Sequence, residues 1–437
     1  MKKILFLLPL CVALFSFAEN EKINLTLQEV QRIAVERNPS LAQAKAAVDA
    51  AVAGVTQARA AYYPQLNLDA GVTRTRDYYG HSMASAANPK GKMDPYTTYN
   101  AGASLNWTIF NGFQSQFQLL TAKYTEQTAK EAEMDARRLL LNAVAQAYYE
   151  VLLAQDNMKI AKEDAEFNKV LLEDAKKRHE GGILKQSEVL NFVLRVQNAE
   201  VDYVAAEKSW KVSIVALCAL LTIDVDGIWD NYTLIYPDHA GELDKDIPQL
   251  LDYAHQNRPD LMAVDEKIRI AEEGIRAARC EWLPTLGAFG NYDFQRQDNA
   301  HFNKSMDRAI NYGLSLSWNV FNGFSTSGRI AQNKANLVSA IKEKEDLLLN
   351  IDSEIRQNYY AFQSAKIQLE KQEVVLATAR QIRDLVEQEY KGGTATITRL
   401  NEVQTDLNNA ASARSAAFIQ VLDTLETIRA ATAENLN

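Results

Sequence analysis

Five histidines, His81, His179, His239, His255 and His301, are spread over 437 residues without any metal-ligand spacing. No phosphate-cradling glycine loop, nucleophile elbow or paired-cysteine motif occurs, so neither an enzyme nor a resident cofactor or metal is expected. Outside the N-terminal segment only Cys218 and Cys280 remain, which is no disulfide framework; they are expected to be two buried thiols. What does repeat is different in kind. Two glycine pairs, Gly181-Gly182 and Gly392-Gly393, and two aromatic phrases, WTIFNGF at 107–113 and WNVFNGF at 318–324, each occur 211 residues apart.

The elements that must position these residues begin with an export signal. Lys2 and Lys3 precede an apolar run from Ile4 to Phe15 and a small-residue pattern ending at Ala18, a secretory signal peptide over 1–18. Its removal takes two lysines and no acid, shifting the net charge from −9 to −11, so nucleic acid is not an expected partner. No later apolar stretch is long enough for a membrane helix, and entry into a membrane would require a barrel.

ERNPSL at 36–41 returns as QNRPDL at 256–261, and YYPQL at 62–66 as WLPTL at 282–286, both offset by 220. With the offset of 211 beyond, this is one unit written twice with a single length change. The first repeat spans 19–221, with a β-hairpin at 64–110 and a helical hairpin at 114–221. A connector follows at 222–246. The second repeat spans 247–437, with a β-hairpin at 284–321 and a helical hairpin at 325–432.

Within each repeat the period changes from helical to alternating after Pro64 and Pro284. Leu66, Leu68, Ala70 and Val72 share one face, as do Tyr99, Leu105, Trp107 and Ile109; Ile310, Tyr312, Leu314, Leu316, Trp318 and Val320 do the same. Asn, Asp, Ser and Gly fill the opposite faces. Loops are expected at about 77–95 and 295–309; over 74–98 and 295–309 the mixed charges, Arg74, Arg76, Lys90, Lys92, Arg296, Lys304 and Arg308 with Asp77, Asp94, Asp298 and Asp307, would suit an anionic surface, with ordinary solvation the safer reading.

After each FNGF the pattern is helical for so long that, at 1.5 Å per residue, each helix reaches roughly 100 Å. Apolar spacings of three and four, as in Leu141, Val144, Tyr148 and Val151, give coiled-coil packing. Glycine then caps each long helix and turns it into a second, shorter one.

Strands of this length with an apolar outer face and aromatics near the ends fit a lipid-facing barrel. Four strands cannot close one, and open edges in lipid cost several kcal/mol per unpaired group, so copies must join. Two copies would give eight strands with an interior filled by side chains, and three copies giving twelve strands is the smaller solution that leaves a channel; periodicity alone does not select between them. The competing reading is a non-conducting periplasmic coiled-coil scaffold.

The order LTLQEVQRIAVERNPSL, YYPQL, WTIFNGF, RHEGGILKQSEVL, RPDL, WLPTL, WNVFNGF and YKGGTATITRLNEVQ resembles the TolC family of outer-membrane efflux proteins over essentially the whole mature chain. The resemblance implies an α+β membrane protein. Its form would be a homotrimer with a twelve-stranded β-barrel in outer-membrane lipid, continuous with a periplasmic α-helical barrel. It implies an exit duct for small toxic compounds or proteins, in tripartite efflux or type I secretion. The partners it implies are a periplasmic adaptor and an inner-membrane pump of the RND or ABC class. Adaptor docking would fall on Gly182, Ile183 and Leu184 with Gly393, Thr394 and Ala395. A periplasmic gate would involve Ser187, Glu188, Tyr390, Arg399 and Glu402, with Tyr390 bonding to the Ser187–Glu188 pair. Here Arg399 stands where the family has an acid and Ala395 where it has an arginine. A rewired link from Arg399 to Glu188 and a solvated helix face, with Arg399 pairing to Glu402, both stand. Trp107, Asn111, Gly112, Trp318, Asn322 and Gly323 would mark the membrane interface and the seam from strand to helix.

Overall fold

The structure is a computed structural model that describes residues 23–76, 95–224, 232–299 and 302–436. The signal peptide expected at 1–18, loop residues Asp77, Lys90, Lys92 and Asp94, and connector residues 225–231 lie outside the described residues. Two compact units emerge. One takes the chain up to Leu41, Arg137–Leu250 and Glu354–Asn437; the other takes Ala42–Ala136 and Leu251–Ser353.

The second unit holds a four-stranded antiparallel sheet of β2 (Gln65–Thr75), β3 (Tyr96–Asn111), β5 (Thr285–Asn299) and β6 (Phe302–Ser317), in the order β2-β3-β5-β6. Its hairpins are in register, Leu68 opposite Ala103 and Ala288 opposite Leu314. Because side chains alternate, one face gathers Leu66, Leu68, Val72, Ile310, Tyr312, Leu314 and Leu316, all at least two-thirds exposed. Such a contiguous apolar surface is far beyond what a water-facing sheet carries. No helix among the described residues is long and apolar enough to cross a membrane.

Two expectations need correction here. The loop read at 295–309 is mostly strand, since β5 runs to Asn299 and pairs with Phe302 of β6. Apolar alternation marks only the lipid-facing part of a strand, while the backbone ladder continues through polar residues that still pair. Conversely β6 stops at Ser317, short of Trp318 and Val320.

Of the first unit, α1 (Leu27–Arg37) starts at a capping box: Glu29 N–H donates to Thr26 Oγ1 (3.3 Å) and Thr26 N–H to Glu29 Oε2 (2.8 Å). Pro39 forces Asn38 into extended backbone and ends it, and Asn38 Oδ1 then caps α2 (Pro39–Arg59) through Ser40 N–H. The long helices α3 (Gln114–Glu180) and α7 (Ser325–Lys391) are each followed by a shorter one, α4 (Gln186–Leu221) and α8 (Ile397–Thr432). In this unit Val144, Tyr148, Val151, Ile214, Leu217, Leu422 and Ile428 are buried, each contributing about 1.5–3 kcal/mol if aliphatic. The connector contains an unforeseen strand: β4 (Tyr232–Leu234) pairs in parallel with β1 (Ile23–Leu25), and Tyr148 Oη donates to Ile235 O at 2.6 Å beside it. Helices α5 (Ile247–Asn257) and α6 (Pro259–Cys280) are the second-repeat counterparts of α1 and α2. Cys218 is buried, but Cys280 is only partly so, which corrects the expectation of two buried thiols.

Candidate functional site: hairpin tips and strand-to-helix seams

Both hairpin tips in the first unit are built by the same backbone device. Gly182 N–H donates to His179 O (2.8 Å) and Ile183 N–H to Arg178 O (2.9 Å); Gly393 N–H donates to Tyr390 O (3.1 Å) and Thr394 N–H to Glu389 O (2.9 Å). This double bond pattern is a Schellman cap, which needs a left-handed residue, and Gly182 (φ +73°) and Gly393 (φ +79°) supply it. The tips differ in how they are sealed. His179 Nδ1 donates to Leu184 O (2.7 Å) at the first, whereas Thr394 Oγ1 donates to Glu389 O (3.0 Å) at the second.

The residues expected at the docking tips split in two. Ile183 is 78% exposed. Leu184 and its duplicate Ala395 turn inward instead and pack against a core of Leu171, Ala175, Phe192, Val386, Tyr390, Ile397, Leu400 and Val403. Leu184 is therefore a plug under the tip, because a half-buried apolar side chain gains more from that core than from water.

The gate residues also distribute differently. Ser187 and Glu188 are exposed in the first turn of α4. Tyr390 is buried, and its hydroxyl donates to Asp174, not to the Ser187–Glu188 pair. Asp174 lies one turn before Arg178 on α3 and accepts from Arg178 Nε at 2.9 Å, while the Arg178 guanidinium sits 4.4 Å from the centre of the Tyr390 ring. Tyr390 thus closes on a carboxylate already held at its own level of α3. Burial, and secondarily the Asp174 carboxylate, push the Tyr390 hydroxyl well above its ordinary pKa. Arg399 Nη1 donates to Glu402 Oε2 at 3.2 Å along α8, with both side chains more than half exposed.

Sequence reasoning missed Asp174 and Arg178, whose signal was the i,i+4 acid–base spacing in the last turns before Gly181. It also missed a polar layer. Asn408 donates to Asp164 Oδ1 (2.5 Å), and the buried Asn401 amide fits between Asn168 (3.3 Å) and Arg195. Burial raises the Asp164 pKa, against the lowering by Asn408.

The seams lie in the second unit. Asn111 Nδ2 donates to Ser115 Oγ (2.7 Å) and Asn322 Nδ2 to Thr326 Oγ1 (2.6 Å); Ser115 N–H and Thr326 N–H point back at the two asparagine oxygens (3.2 and 3.5 Å). Gly112 and Phe113 are both left-handed, as are Gly323 and Phe324. That conformation costs an aromatic residue about 1–2 kcal/mol. An edge-to-face contact accompanies it in each copy, Phe110 on Phe113 (5.2 Å) and Phe321 on Phe324 (5.4 Å). Trp107 Nε1 donates to Tyr62 O (3.1 Å) and Trp318 Nε1 to Trp282 O (3.0 Å), pinning each indole where the sheet ends. Among the described residues no cluster of three or more metal-ligating side chains occurs.

The family model for outer membrane efflux protein matches residues 30–222 and 250–434, once on each repeat. The outer membrane protein TolC of Vibrio cholerae is 24% identical over 394 residues, covering 88% of this chain and 86% of that protein. TolC of Escherichia coli is also 24% identical, covering 92% and 81%. Among solved structures, the CmeC outer membrane channel of Campylobacter jejuni superposes with a TM-score of 0.80 at 17% identity, covering 94% of this chain and 86% of that one. VceC of Vibrio cholerae gives 0.74 at 19%, covering 93% and 95%. The chain belongs to the outer membrane efflux protein family, and its function is that of an outer-membrane efflux channel.

Proposed function

We propose that three copies of this chain form the exit duct, each giving four strands to a twelve-stranded barrel in outer-membrane lipid and two helical hairpins to a periplasmic α-barrel. The observation that carries this reading is the sheet itself, a lipid-type face on strands whose two outer members, β2 and β6, have no partner on their outer edges among the described residues. An unpaired edge in hydrocarbon costs several kcal/mol per backbone group, which copies of the chain remove by pairing.

The tips carry the docking role. Ile183, Gly182, Gly393 and Thr394 would meet a periplasmic adaptor, with Leu184 and Ala395 supporting them from inside, and an inner-membrane pump of the RND or ABC class would deliver the cargo. Small toxic compounds suit the efflux relatives; protein cargo is the secretion variant of the same duct. Ser187, Glu188, Arg399 and Glu402 are the exposed ionic and polar residues next to the tips and would line the periplasmic mouth.

Planar-bilayer recording of the purified protein tests the channel. Discrete single-channel steps are expected, and a protein that fractionates as soluble and gives no conductance would return the reading to a periplasmic scaffold. Removal of the adaptor from the cell should abolish pump co-purification, with Ile183→Ser reproducing that loss.

A further inference from the structure

The first unit keeps a space that its own packing does not fill. Tyr148 Oη donates to Ile235 O (2.6 Å) and lies 3.1 Å from Leu25 O, so one side chain of α3 props the β1–β4 pair at a fixed distance from the helix. At the end of α4, Thr222 is left-handed (φ +54°) and Ile223 N–H donates to Cys218 O (3.1 Å), which turns the chain back at that point. Residues of all these elements enclose a cavity of about 300 Å³, floored by Val30, Val151, Leu217 and Cys218, which are all buried. Beside Trp210, its polar lining is Arg37, Gln155 and Thr233, and no carboxylate lines it among the described residues. Arg37 and Thr233 are exposed at the rim. Neither the Arg37 guanidinium nor the Gln155 amide has a partner among the described residues.

The second repeat writes the same positions differently. Shifted by the repeat offsets, Val30, Ile33 and Val151 become the larger Leu250, Tyr253 and Phe362, although Trp210 gives way to Val421. Leu250 and Phe362 are both buried. Arg37 becomes Asn257. The cations that do stand at counterpart positions, Lys366 for Gln155 and Arg429 for Cys218, are paired with Glu242 and Glu426. Protein interiors hold few voids larger than a water molecule. The first copy alone therefore combines small apolar floor residues with an unpaired cation at the rim.

We propose that this cavity is a binding site for a single-chain aliphatic carboxylate of medium length, its chain among Val30, Val151, Met158 and Leu217 and its carboxylate on Arg37. The lining decides the class of ligand. A mostly apolar wall with a few convergent polar groups is the make-up of a small-molecule site, and about 300 Å³ is the lower end of the range for one, too small for a lipid with two chains. Aliphatic side chains dominate the wall and Trp210 is its one ring, so an alkyl chain fits it better than a stacked aromatic. One unpaired guanidinium with no acid beside it selects an anion, and a carboxylate matches its fork of donors. The other reason for Arg37, a cation in the last turn of α1, requires no cavity and predicts no ligand. All the lining residues belong to one chain, so the site does not depend on the oligomer proposed above.

The test is titration calorimetry of the whole protein in lipid nanodiscs with decanoate, empty nanodiscs being subtracted. Saturable binding of one decanoate per chain is expected, with decanol bound more weakly. Arg37→Asn, which installs the residue type of the second repeat, should weaken decanoate binding about tenfold and leave decanol binding unchanged. Val30→Leu combined with Val151→Phe, again the second-repeat residue types, should abolish saturable binding while the protein still melts cooperatively. Uptake no greater than that of empty nanodiscs, or saturation that survives the filled cavity, overturns the site. Decanoate binding unmoved by Arg37→Asn, or decanol bound as tightly as decanoate, overturns the carboxylate. Fluorescence gives a second reading that does not depend on the cavity-filling variant. 10-Bromodecanoate should quench tryptophan emission of the unmutated protein in a saturable step that Trp210→Phe removes; no such step, or its survival in Trp210→Phe, overturns the inference.

Discussion

Tyr390→Phe should loosen the second hairpin tip by about tenfold without unfolding the chain. The lost bond joins a buried hydroxyl to the Asp174 carboxylate, and hydrogen bonds to charged groups contribute about 1.5–3 kcal/mol. The Asp174 side chain is 40% exposed, so water partly replaces the missing donor and the lower end, about 1.5 kcal/mol, applies. The phenyl ring keeps its place in the core and its contact with Arg178, so the cation–π share of about 0.5–1 kcal/mol survives. A loss of about 1.5 kcal/mol is about tenfold in a local opening equilibrium. Hydrogen exchange at Thr394 and Ala395, whose N–H groups close the tip on Glu389 O, reads that equilibrium directly. Asp174→Asn completes a double-mutant cycle, with a coupling of about 1 kcal/mol expected between Asp174 and Tyr390 and little between Glu188 and Tyr390. Strictly additive effects of Asp174→Asn and Tyr390→Phe, or coupling to Glu188 instead, would refute the assignment of the partner. The same group predicts a pH dependence. The folded-state pKa of Tyr390 is raised above the ordinary 10.0, so its contribution is complete below pH 10 and falls as pH rises further, because the unfolded tyrosine releases its proton first. Tyr390→Phe should flatten that alkaline decline.

Other predictions separate surface roles from packing roles. Ile183→Ser should leave thermal stability within about 0.5 kcal/mol while abolishing adaptor co-purification, whereas Leu184→Ser should cost about 1–3 kcal/mol in a melting experiment because it removes the plug beneath the tip. Arg399→Ser breaks a pair exposed on both sides and should change stability by no more than about 1 kcal/mol. Single-channel conductance should nevertheless rise in Arg399→Ser and in Glu188→Ala, and no change in either removes these residues from the mouth. Gly112→Ala combines left-handed strain with a clash on Cys280 O and should lower the folded yield; Gly323→Ala carries the strain without a clash among the described residues and should lower it less.

The period of the sequence was enough for the fold because each element has a repeating reason to form. Alternation in 66–72 and 310–316 gives strands, three-and-four spacing gives the long helices, and Gly181-Gly182 and Gly392-Gly393 give the turns between helices. The partner of Tyr390 was not legible, since Asp174 and Glu188 are both carboxylates near a tip and the choice depends on which side of α3 faces α7. Leu184 was misread for a related reason. It sits beside the exposed Ile183 at a glycine turn, but the Schellman turn directs it toward a core that includes Phe192, two helical turns along α4, and Leu400 of the other repeat. The end of β6 was misread because alternation reports which residues suit a strand, and not whether a partner strand is there.

The duplication lets local and distant causes be told apart inside one chain. The Schellman caps, the asparagine bonds at 111 and 322, the indole bonds of Trp107 and Trp318, and the left-handed Phe113 and Phe324 occur in both copies, although their surroundings differ. Whatever makes them must lie in the shared local sequence. The strand extension and the covered glycine occur in one copy only, although the sequences Trp107–Phe113 and Trp318–Phe324 are nearly the same. Their cause must lie outside that sequence, in the strand alongside. For 107–111 that strand is β5 of the same chain. For 318–322 no such strand lies alongside among the described residues. The two copies therefore agree wherever the local sequence decides and differ only where the neighbouring strand differs.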